Sequence, residues 1–195
     1  MIRRVRTVRP SRRSSPFGVA GGELAVYPLI ENEHRGAWPH RSIAPASATG
    51  EELTERATDF AARVLTELDY VGVLTIEWFQ DGPRLLANEM APRVHNSGHW
   101  TIEGAATSQF ENHVRAVCGL PLGRANTVGW SAMYNFIGAV PPAADVLREP
   151  AAHLHDYGKE HRPGRKVGHV TLRAASADDL TDRLPEWDRR FDRPV

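Results

Sequence analysis

The chain has 195 residues, of which 41% are hydrophobic and 25% charged, and this composition indicates a globular protein of one or two domains. Residues 1–22 carry six arginines and no acid, so the remainder holds 18 basic and 24 acidic residues, a net charge of −6. This charge argues against nucleic-acid binding, and no apolar run approaches the roughly 20 residues of a membrane span. Cys118 is the only cysteine, which excludes an intrachain disulfide and fits a cytoplasmic location.

The first half of the chain predicts strands around a tight turn. Residues 1–22 are rich in Arg, Ser, Pro and Gly, and we predict that they form a disordered basic segment. Structure is predicted to begin with a strand at 23–34. Residues 70–79 are too uniformly apolar for a half-exposed strand and predict a central one, which a turn at 80–83 connects to a return strand at 84–90.

Two helices are predicted beside these strands. Thr49 and Glu52 form a capping-box pattern, and apolar residues then recur at helical spacing up to Leu68. A second helix is predicted at about 101–118. Its packing face is predicted to contain Ala106, Phe110, Val114 and Val117.

The chain is predicted to divide into two structured units. The first covers residues 23–122, a linker covers 123–129, and a small β-rich unit covers 130–195. A short helix is predicted to start at Ser176 and to be cut short by Pro185.

Two carboxylates in the predicted hairpin suggest a metal site. Glu77 lies within the most apolar strand, and Glu89 lies on the return strand. A three-residue loop at 81–83 would oppose Glu77 to Ala87 and place both carboxylates on one face, with Asn88 on the other, whereas a two-residue loop would separate the carboxylates. Such a pair suits Mg²⁺, which prefers oxygen ligands. The alternative is that Glu77 pairs with an arginine.

The segment after this strand offers groups that bind anions. Arg93 has a planar fork for an oxyanion, His95 can exchange a proton near neutral pH, and Asn96 can orient a ligand by hydrogen bonding. His95 and His99 also form an H-x-x-x-H spacing, which leaves open a zinc-dependent hydrolase, although the intervening Asn-Ser-Gly argues against the helix that such a site needs.

Basic residues are concentrated once more near the C-terminus. The chain has 22 arginines and two lysines, and both lysines, Lys159 and Lys166, fall in one short window with Arg162 and Arg165. Four cations around a Pro-Gly turn suit a phosphate monoester. The alternative is a solvated hairpin tip.

Three stretches of the sequence resemble the C-terminal half of 5-(carboxyamino)imidazole ribonucleotide synthase, an ATP-grasp carboxylase family of purine synthesis. They read ELDYVGVLTIEWF, NEMAPRVHNSGHWTIEGAATSQFENHVRAVCGLPLG and HLHDYGKEHRPGRKVGHVTL. The resemblance extends from about Glu23 to about Leu184. It implies an α/β (α+β) fold: the C-terminal part of an ATP-grasp domain, with a mostly antiparallel sheet and helices on one face, followed by a small β-rich C-terminal domain.

The resemblance also implies a reaction and a set of site residues. Members use ATP and Mg²⁺ to activate bicarbonate and transfer the carboxyl group to 5-aminoimidazole ribonucleotide. By resemblance, the residues that match metal and ATP contacts are Glu77, Asn88 and Glu89. Those that match the bicarbonate or carboxyphosphate group are Arg93, His95 and Asn96, and those that match the ribonucleotide phosphate segment are Lys159, Arg165 and Lys166.

The sequence also departs from the family it resembles. Residues 1–22 match nothing in the family, and the N-terminal domain and the other half of the ATP-grasp unit are not seen, so we expect weak ATP binding or none by the chain alone. The full-length family is expected to form homodimers. The alternative is a non-catalytic remnant that acts as a dimerising or ligand-holding module.

Overall fold

The structure is a computed structural model that describes residues 2–9 by their backbone, together with residues 23–35, 38–46, 50–82 and 84–191. Its elements follow one another in chain order. They are β1 (Ile2–Arg9), β2 (Ala25–Arg35), β3 (Trp38–Ala44), α1 (Glu51–Glu67), β4 (Gly72–Asp81), β5 (Arg84–Ala91), a 3-10 turn (Asn96–Gly98), α2 (Thr101–Gly104), α3 (Gln109–Val117), β6 (Trp130–Ile137), α4 (Ala143–Val146), β7 (Ala152–Asp156), β8 (Lys166–Ala174) and α5 (Ala177–Phe191).

The described strands form one sheet in the order β5-β4-β1-β2-β3-β6-β8-β7, and every pairing between neighbours is antiparallel. This confirms the predicted antiparallel α/β class. The sheet passes from the first predicted unit to the second without interruption, because β3 pairs with β6 from Arg41↔Tyr134 to Ala44↔Ser131. The division into two units at residues 122 and 130 therefore remains a sequence-based prediction, and strands from both predicted units belong to the same sheet.

The prediction of a disordered segment at 1–22 is wrong for residues 2–9. Their backbone forms β1, which lies between β2 and β4 and pairs with both. The facing edges of β2 and β4 present backbone N–H and C=O groups, and β1 lies between these edges and forms hydrogen bonds with both. Residues 10–22 lie outside the described part of the chain.

Helices cover both faces of the sheet, which corrects the prediction of helices on one face. Neighbouring residues of a strand point to opposite faces. Leu74 of β4 packs in a cluster with Ala57, Ala61 and Leu65 of α1. Its neighbour Val73 packs in a second cluster with Ala116 of α3. The residue predicted to cap α1, Thr49, lies outside the described residues, and Gly50 occupies the N-cap position.

The contact face of α3 also differs from the prediction. Phe110, Val114 and Val117 are 38%, 55% and 52% exposed, and Ala106 is exposed as well. The buried residues of α3 are Gln109, Asn112 and Ala116. The single helix predicted at about 101–118 is instead two helices, α2 and α3, with residues 105–108 between them. The buried face was also assigned wrongly, because two carboxamides of α3 are buried by pairing with the backbone of adjacent loops.

Helix α5 continues through Pro185 to Phe191, so the prediction of a short helix is wrong. Leu180, Trp187 and Phe191 are at most 3% exposed and pack on β6 and β8, and this burial offsets the backbone hydrogen bond that proline cannot make. The predicted cap is confirmed: the backbone N–H of Asp179 donates to Ser176 Oγ at 3.1 Å. Among the described residues, no helix is both long and apolar enough to cross a membrane.

Candidate functional site

The register of the β4–β5 hairpin brings Glu77 directly opposite Glu89. Asp81 pairs with Arg84, so only two residues connect the strands, and the predicted three-residue loop is wrong. A regular ladder from this turn would oppose Glu77 to Asn88. The register instead shifts between Glu77 and Trp78, where Asn88 is the extra residue of a β-bulge. The carboxylates therefore share a face, as predicted, but for a different reason.

The bulge also changes where Asn88 points. Its Nδ2 donates to Glu77 Oε2 at 3.4 Å, so Asn88 lies on the side of the carboxylates, and the prediction that it projects to the opposite face is wrong. A residue in a bulge shares its partner with the residue that follows it, and both side chains point to the same side. Three polar side chains thus converge at this end of the hairpin.

Glu77, Glu89 and His95 form the one group of three potential metal ligands among the described residues, and one ligand atom from each lies within 4.8 Å of the others. Glu77 is 7% exposed, whereas Glu89 is exposed. A carboxylate as buried as Glu77 requires a cation or hydrogen-bond donors nearby. Two carboxylates on one face are the hard oxygen donors that Mg²⁺ prefers, so these residues fit the predicted metal site.

His95 is oriented by the turn that follows it. It is the N-cap of the 3-10 turn, and its Nδ1 accepts from the backbone N–H of Ser97 at 3.4 Å. A neutral imidazole that accepts at Nδ1 carries its proton at Nε2. The Nε2 atom lies 3.8 Å from Glu77 Oε1. In this tautomer His95 faces the acidic pair as a proton donor and would not be a metal ligand.

Asn96 and Arg93 occupy different surroundings from the acidic pair. Asn96 Nδ2 donates to Asn135 Oδ1 of β6 at 2.7 Å, and Asn135 in turn donates to the Pro39 carbonyl at 3.0 Å. Arg93 is exposed, and its Nη1 donates to the Val94 carbonyl at 3.1 Å. Of the three predicted anion-binding residues, the structure brings His95 alone into the group with Glu77 and Glu89.

The H-x-x-x-H zinc hypothesis is not supported by the geometry of the described residues. The His95 ring faces Glu77, whereas the His99 ring lies against Phe110, Tyr157 and His169, with centroids 5.2, 6.1 and 5.3 Å away. His99 does not belong to the group of potential metal ligands. The 3-10 turn between the two histidines directs their rings to different neighbours.

The basic segment follows β7 and leads into β8. Lys159 Nζ lies 4.9 Å from the centroid of the Tyr157 ring and 3.5 Å from the Lys166 carbonyl. Arg165 is exposed, and Lys166 is the first residue of β8. The structure thus places Lys159 and Arg165 on the connection between β7 and β8 and Lys166 where this connection enters β8.

Aromatic and imidazole side chains support this segment, and the sequence analysis did not single them out. The Tyr157 hydroxyl lies 2.7 Å from His169 Nδ1, and the His169 ring stacks on His155 at 4.4 Å. His155 Nε2 is 2.6 Å from Glu103 Oε1. The recognisable signal was the i, i+2 spacing of His155 in β7 and Tyr157 directly after it, because residues two apart share a face where the chain stays extended.

Burial perturbs two groups of this support. Desolvation, followed by the neighbouring His99 and His155, lowers the pKa of His169 to about 2, so this imidazole is neutral. Desolvation raises the pKa of Tyr157 to about 12, against an opposing hydrogen bond with Asn96. The pair is therefore neutral at physiological pH, and the positive charge of this region resides on its lysines and arginines, Lys159, Arg162, Arg165 and Lys166.

Two family profiles match the chain. That of the ATP-grasp domain matches residues 18–110, and that of the phosphoribosylaminoimidazole carboxylase C-terminal domain matches residues 131–183. The N5-carboxyaminoimidazole ribonucleotide synthase of Pseudomonas aeruginosa is 56% identical over 165 residues, which cover 85% of this chain and 45% of the relative. The Escherichia coli enzyme of the same name is 44% identical, over 84% of this chain and 45% of the relative.

Solved structures agree with these sequence matches. The N5-carboxyaminoimidazole ribonucleotide synthetase of Thermus thermophilus superimposes with a TM-score of 0.90 and 52% identity, over 99% of this chain and 51% of the other. An Aspergillus clavatus synthase in complex with ADP and 5-aminoimidazole ribonucleotide gives 0.82 and 31% identity, over 96% and 50%. The chain spans about half the length of the relatives it matches.

Proposed function

The chain belongs to the N5-carboxyaminoimidazole ribonucleotide synthase family, and from this we propose that it supplies binding residues for the ATP-dependent carboxylation of 5-aminoimidazole ribonucleotide by bicarbonate. The observation that carries the proposal is the convergence of Glu77, Glu89 and His95 at the end of the β4–β5 hairpin. The A. clavatus synthase, whose structure superimposes on this chain, was solved with ADP and the ribonucleotide bound.

In this proposal the acidic end of the hairpin binds the nucleotide through its metal. Glu77 and Glu89 would hold Mg²⁺, and Asn88 would contact ATP. When bound, Mg²⁺ would neutralise charge on the phosphates. The near-complete burial of Glu77 limits its exposure to water, which strengthens its attraction for a cation.

The segment after β5 would bind the anion to be transferred. His95 would present its Nε2–H beside Glu77, and the exposed, planar guanidinium of Arg93 would donate to bicarbonate or carboxyphosphate. Asn96 would orient the same anion, and its hydrogen bond to Asn135 of β6 would hold its side chain in place. Stabilising negative charge as it develops would be the main contribution of these residues.

The basic segment would bind the ribonucleotide phosphate through Lys159, Arg165 and Lys166. Lys159 and Arg165 lie on the connection between β7 and β8, Lys166 begins β8, and the Tyr157 ring lies beside Lys159. Charge-assisted hydrogen bonds to a phosphate are about twice as strong as neutral ones. A cytoplasmic location, a homodimeric full-length assembly and the lack of a nucleic-acid partner remain predictions.

The proposal is tested by ADP release with ATP, Mg²⁺, bicarbonate and 5-aminoimidazole ribonucleotide. The chain is assayed alone and together with a separately produced N-terminal half of the P. aeruginosa relative. We expect ADP release in the mixture that requires both substrates and is lost in Glu77→Gln. Glu111→Gln, an exposed acid on α3 that pairs with Arg115, is the control and should retain activity. ADP release that survives Glu77→Gln would refute the proposed role of this site.

A non-catalytic ligand-holding or dimerising module is the second candidate. It is supported by apolar side chains exposed on β4 and β5, at Phe79, Leu86 and Met90, and on α3, at Phe110, Val114 and Val117. Apolar surface of this kind commonly marks an interaction site. Metal and phosphate binding without ADP release, both alone and in the mixture, would favour this candidate.

A further inference from the structure

Gln109, the first residue of α3, is fully buried and pairs with the main chain of His95 on both of its polar atoms. Its Oε1 accepts from the His95 backbone N–H at 3.0 Å, and its Nε2 donates to the His95 carbonyl at 2.9 Å. A neighbouring strand would present the same donor and acceptor. The carboxamide thus takes the place of a strand where the chain has left the sheet.

The same carboxamide also reaches the far end of the turn. Gln109 Nε2 lies 2.9 Å from His99 Nδ1, so one side chain contacts the residues that flank the 3-10 turn on either side. The backbone N–H of Gln109 donates to Thr101 Oγ1 at 2.9 Å, and Thr101 Oγ1 donates to the Gly98 carbonyl at 2.6 Å. Gln109 is therefore fixed to this turn by its main chain as well as its side chain.

We propose that Gln109 is a positioning residue that holds His95 against Glu77. The proposal rests on the proposed function, in which the His95 ring works beside the acidic pair. The direction of that ring follows from the His95 backbone, and Gln109 is the side chain that pairs with both backbone groups. A buried carboxamide with its partners satisfied gives a single geometry. An apolar replacement would remove the acceptor that Gln109 offers to the His95 N–H and would leave the His95 carbonyl with its bond from the Gly98 N–H at 2.9 Å, so the turn would lose its tie to α3 at His95.

A second carboxamide on α3 provides a matched control. Asn112 is also fully buried, and it pairs in the same manner with the backbone of Gly123: the Gly123 N–H donates to its Oδ1 at 2.8 Å, and its Nδ2 donates to the Gly123 carbonyl at 3.1 Å. It has the same helix, burial and chemistry as Gln109, but it ties α3 to a different loop. Replacement of either residue should destabilise the fold to a similar extent.

The test measures the coupling between His95 and Glu77 in the metal-free 195-residue chain. The ¹H–¹³C resonance of the His95 ring is assigned with His95→Gln, and its shift on Glu77→Gln is recorded in three backgrounds: the unmodified chain, Gln109→Leu and Asn112→Leu. We expect the shift to be present in the unmodified chain and in Asn112→Leu and to be lost in Gln109→Leu. Gln109→Glu keeps the acceptor for the His95 N–H but loses the donor, and should retain part of the shift.

Each other outcome overturns the proposal. A full shift in Gln109→Leu, an equal loss in Asn112→Leu, or no shift in the unmodified chain would show that Gln109 does not position His95 against Glu77. If Gln109→Leu does not fold, a full shift in Gln109→Glu has the same meaning. Because the measurement uses neither metal nor nucleotide, its failure is distinguishable from failure of the ADP-release assay.

Discussion

The acidic end of the β4–β5 hairpin and the basic segment between β7 and β8 carry opposite charges, and they are built in opposite ways. The acidic end is fixed by the sheet: Glu77 is 7% exposed, and Asn88 and His95 reach it from β5 and the turn beyond. The basic segment is an exposed connection in which Arg162 pairs with Glu160 at 3.1 Å and Lys159 lies over Tyr157. The comparison contrasts a largely buried, preformed group of candidate metal ligands with a largely exposed group of candidate phosphate-binding cations.

The strongest test of this difference is to neutralise the acidic end. Glu77→Gln or Glu89→Gln should weaken Mn²⁺ binding by at least about 100-fold, because each removes a charged ligand. Isothermal titration calorimetry or electron paramagnetic resonance measures the affinity. Glu111→Gln is the exposed control, and equal weakening in it would show that binding reflects overall charge rather than a built site.

His169, which packs behind the basic segment, should make the stability of the fold decrease at acidic pH. His169 has a pKa of about 2 when folded and about 6.5 when unfolded, so the unfolded chain binds the extra proton between these values. The free energy of unfolding is therefore unaffected by His169 above pH 6.5 and decreases as the pH falls below this value. The decrease due to His169 is about 2 kcal/mol at pH 5. Chemical denaturation at pH 7 and pH 5 measures the loss.

His169→Gln provides the comparison for this acid sensitivity. Gln can still accept from the Tyr157 hydroxyl but does not titrate, so the difference between pH 7 and pH 5 should shrink. An unchanged difference would mean that other groups cause the acid sensitivity.

Neutralising the basic segment should have a smaller effect than neutralising the acidic pair. Lys166→Gln should weaken binding of ribose 5-phosphate by about tenfold, which corresponds to the loss of one charge-assisted contact in an exposed site. Arg162→Gln is the control, since Arg162 pairs with Glu160 and is not assigned to the phosphate. The assignment of Lys166 fails if the two variants lose affinity equally.

The bulge residue should have the smallest effect. Asn88→Ala should weaken Mn²⁺ binding about fivefold, because it removes one hydrogen bond to Glu77 and leaves both carboxylates in place. Calorimetry of this variant beside Glu89→Gln separates orientation of the pair from ligation. A loss as large as that of Glu89→Gln would mean that Asn88 itself binds the metal.

Part of the candidate site could be predicted because local patterns express it. The apolar run of β4 identified a central strand, and Glu77 within it identified a group that needs a cation or donors. The same local reading failed for the faces of α3. Its apolar residues Phe110, Val114 and Val117 were expected to be buried, but Gln109 and Asn112 are buried instead, because each pairs with the backbone of a loop that packs against α3.

The sequence by itself determined the hairpin and the chemical types of the site residues, since these follow from periodicity and from motifs, and its resemblance to a known family implied the antiparallel α/β class. The tertiary structure decided the register. A two-residue connection alone would have separated Glu77 from Glu89, and the bulge at Asn88 restores them to one face. It also decided that His95 faces the acidic pair while Asn96 turns to β6, because these directions depend on Gln109 and Asn135, 14 and 39 residues along the chain from their partners.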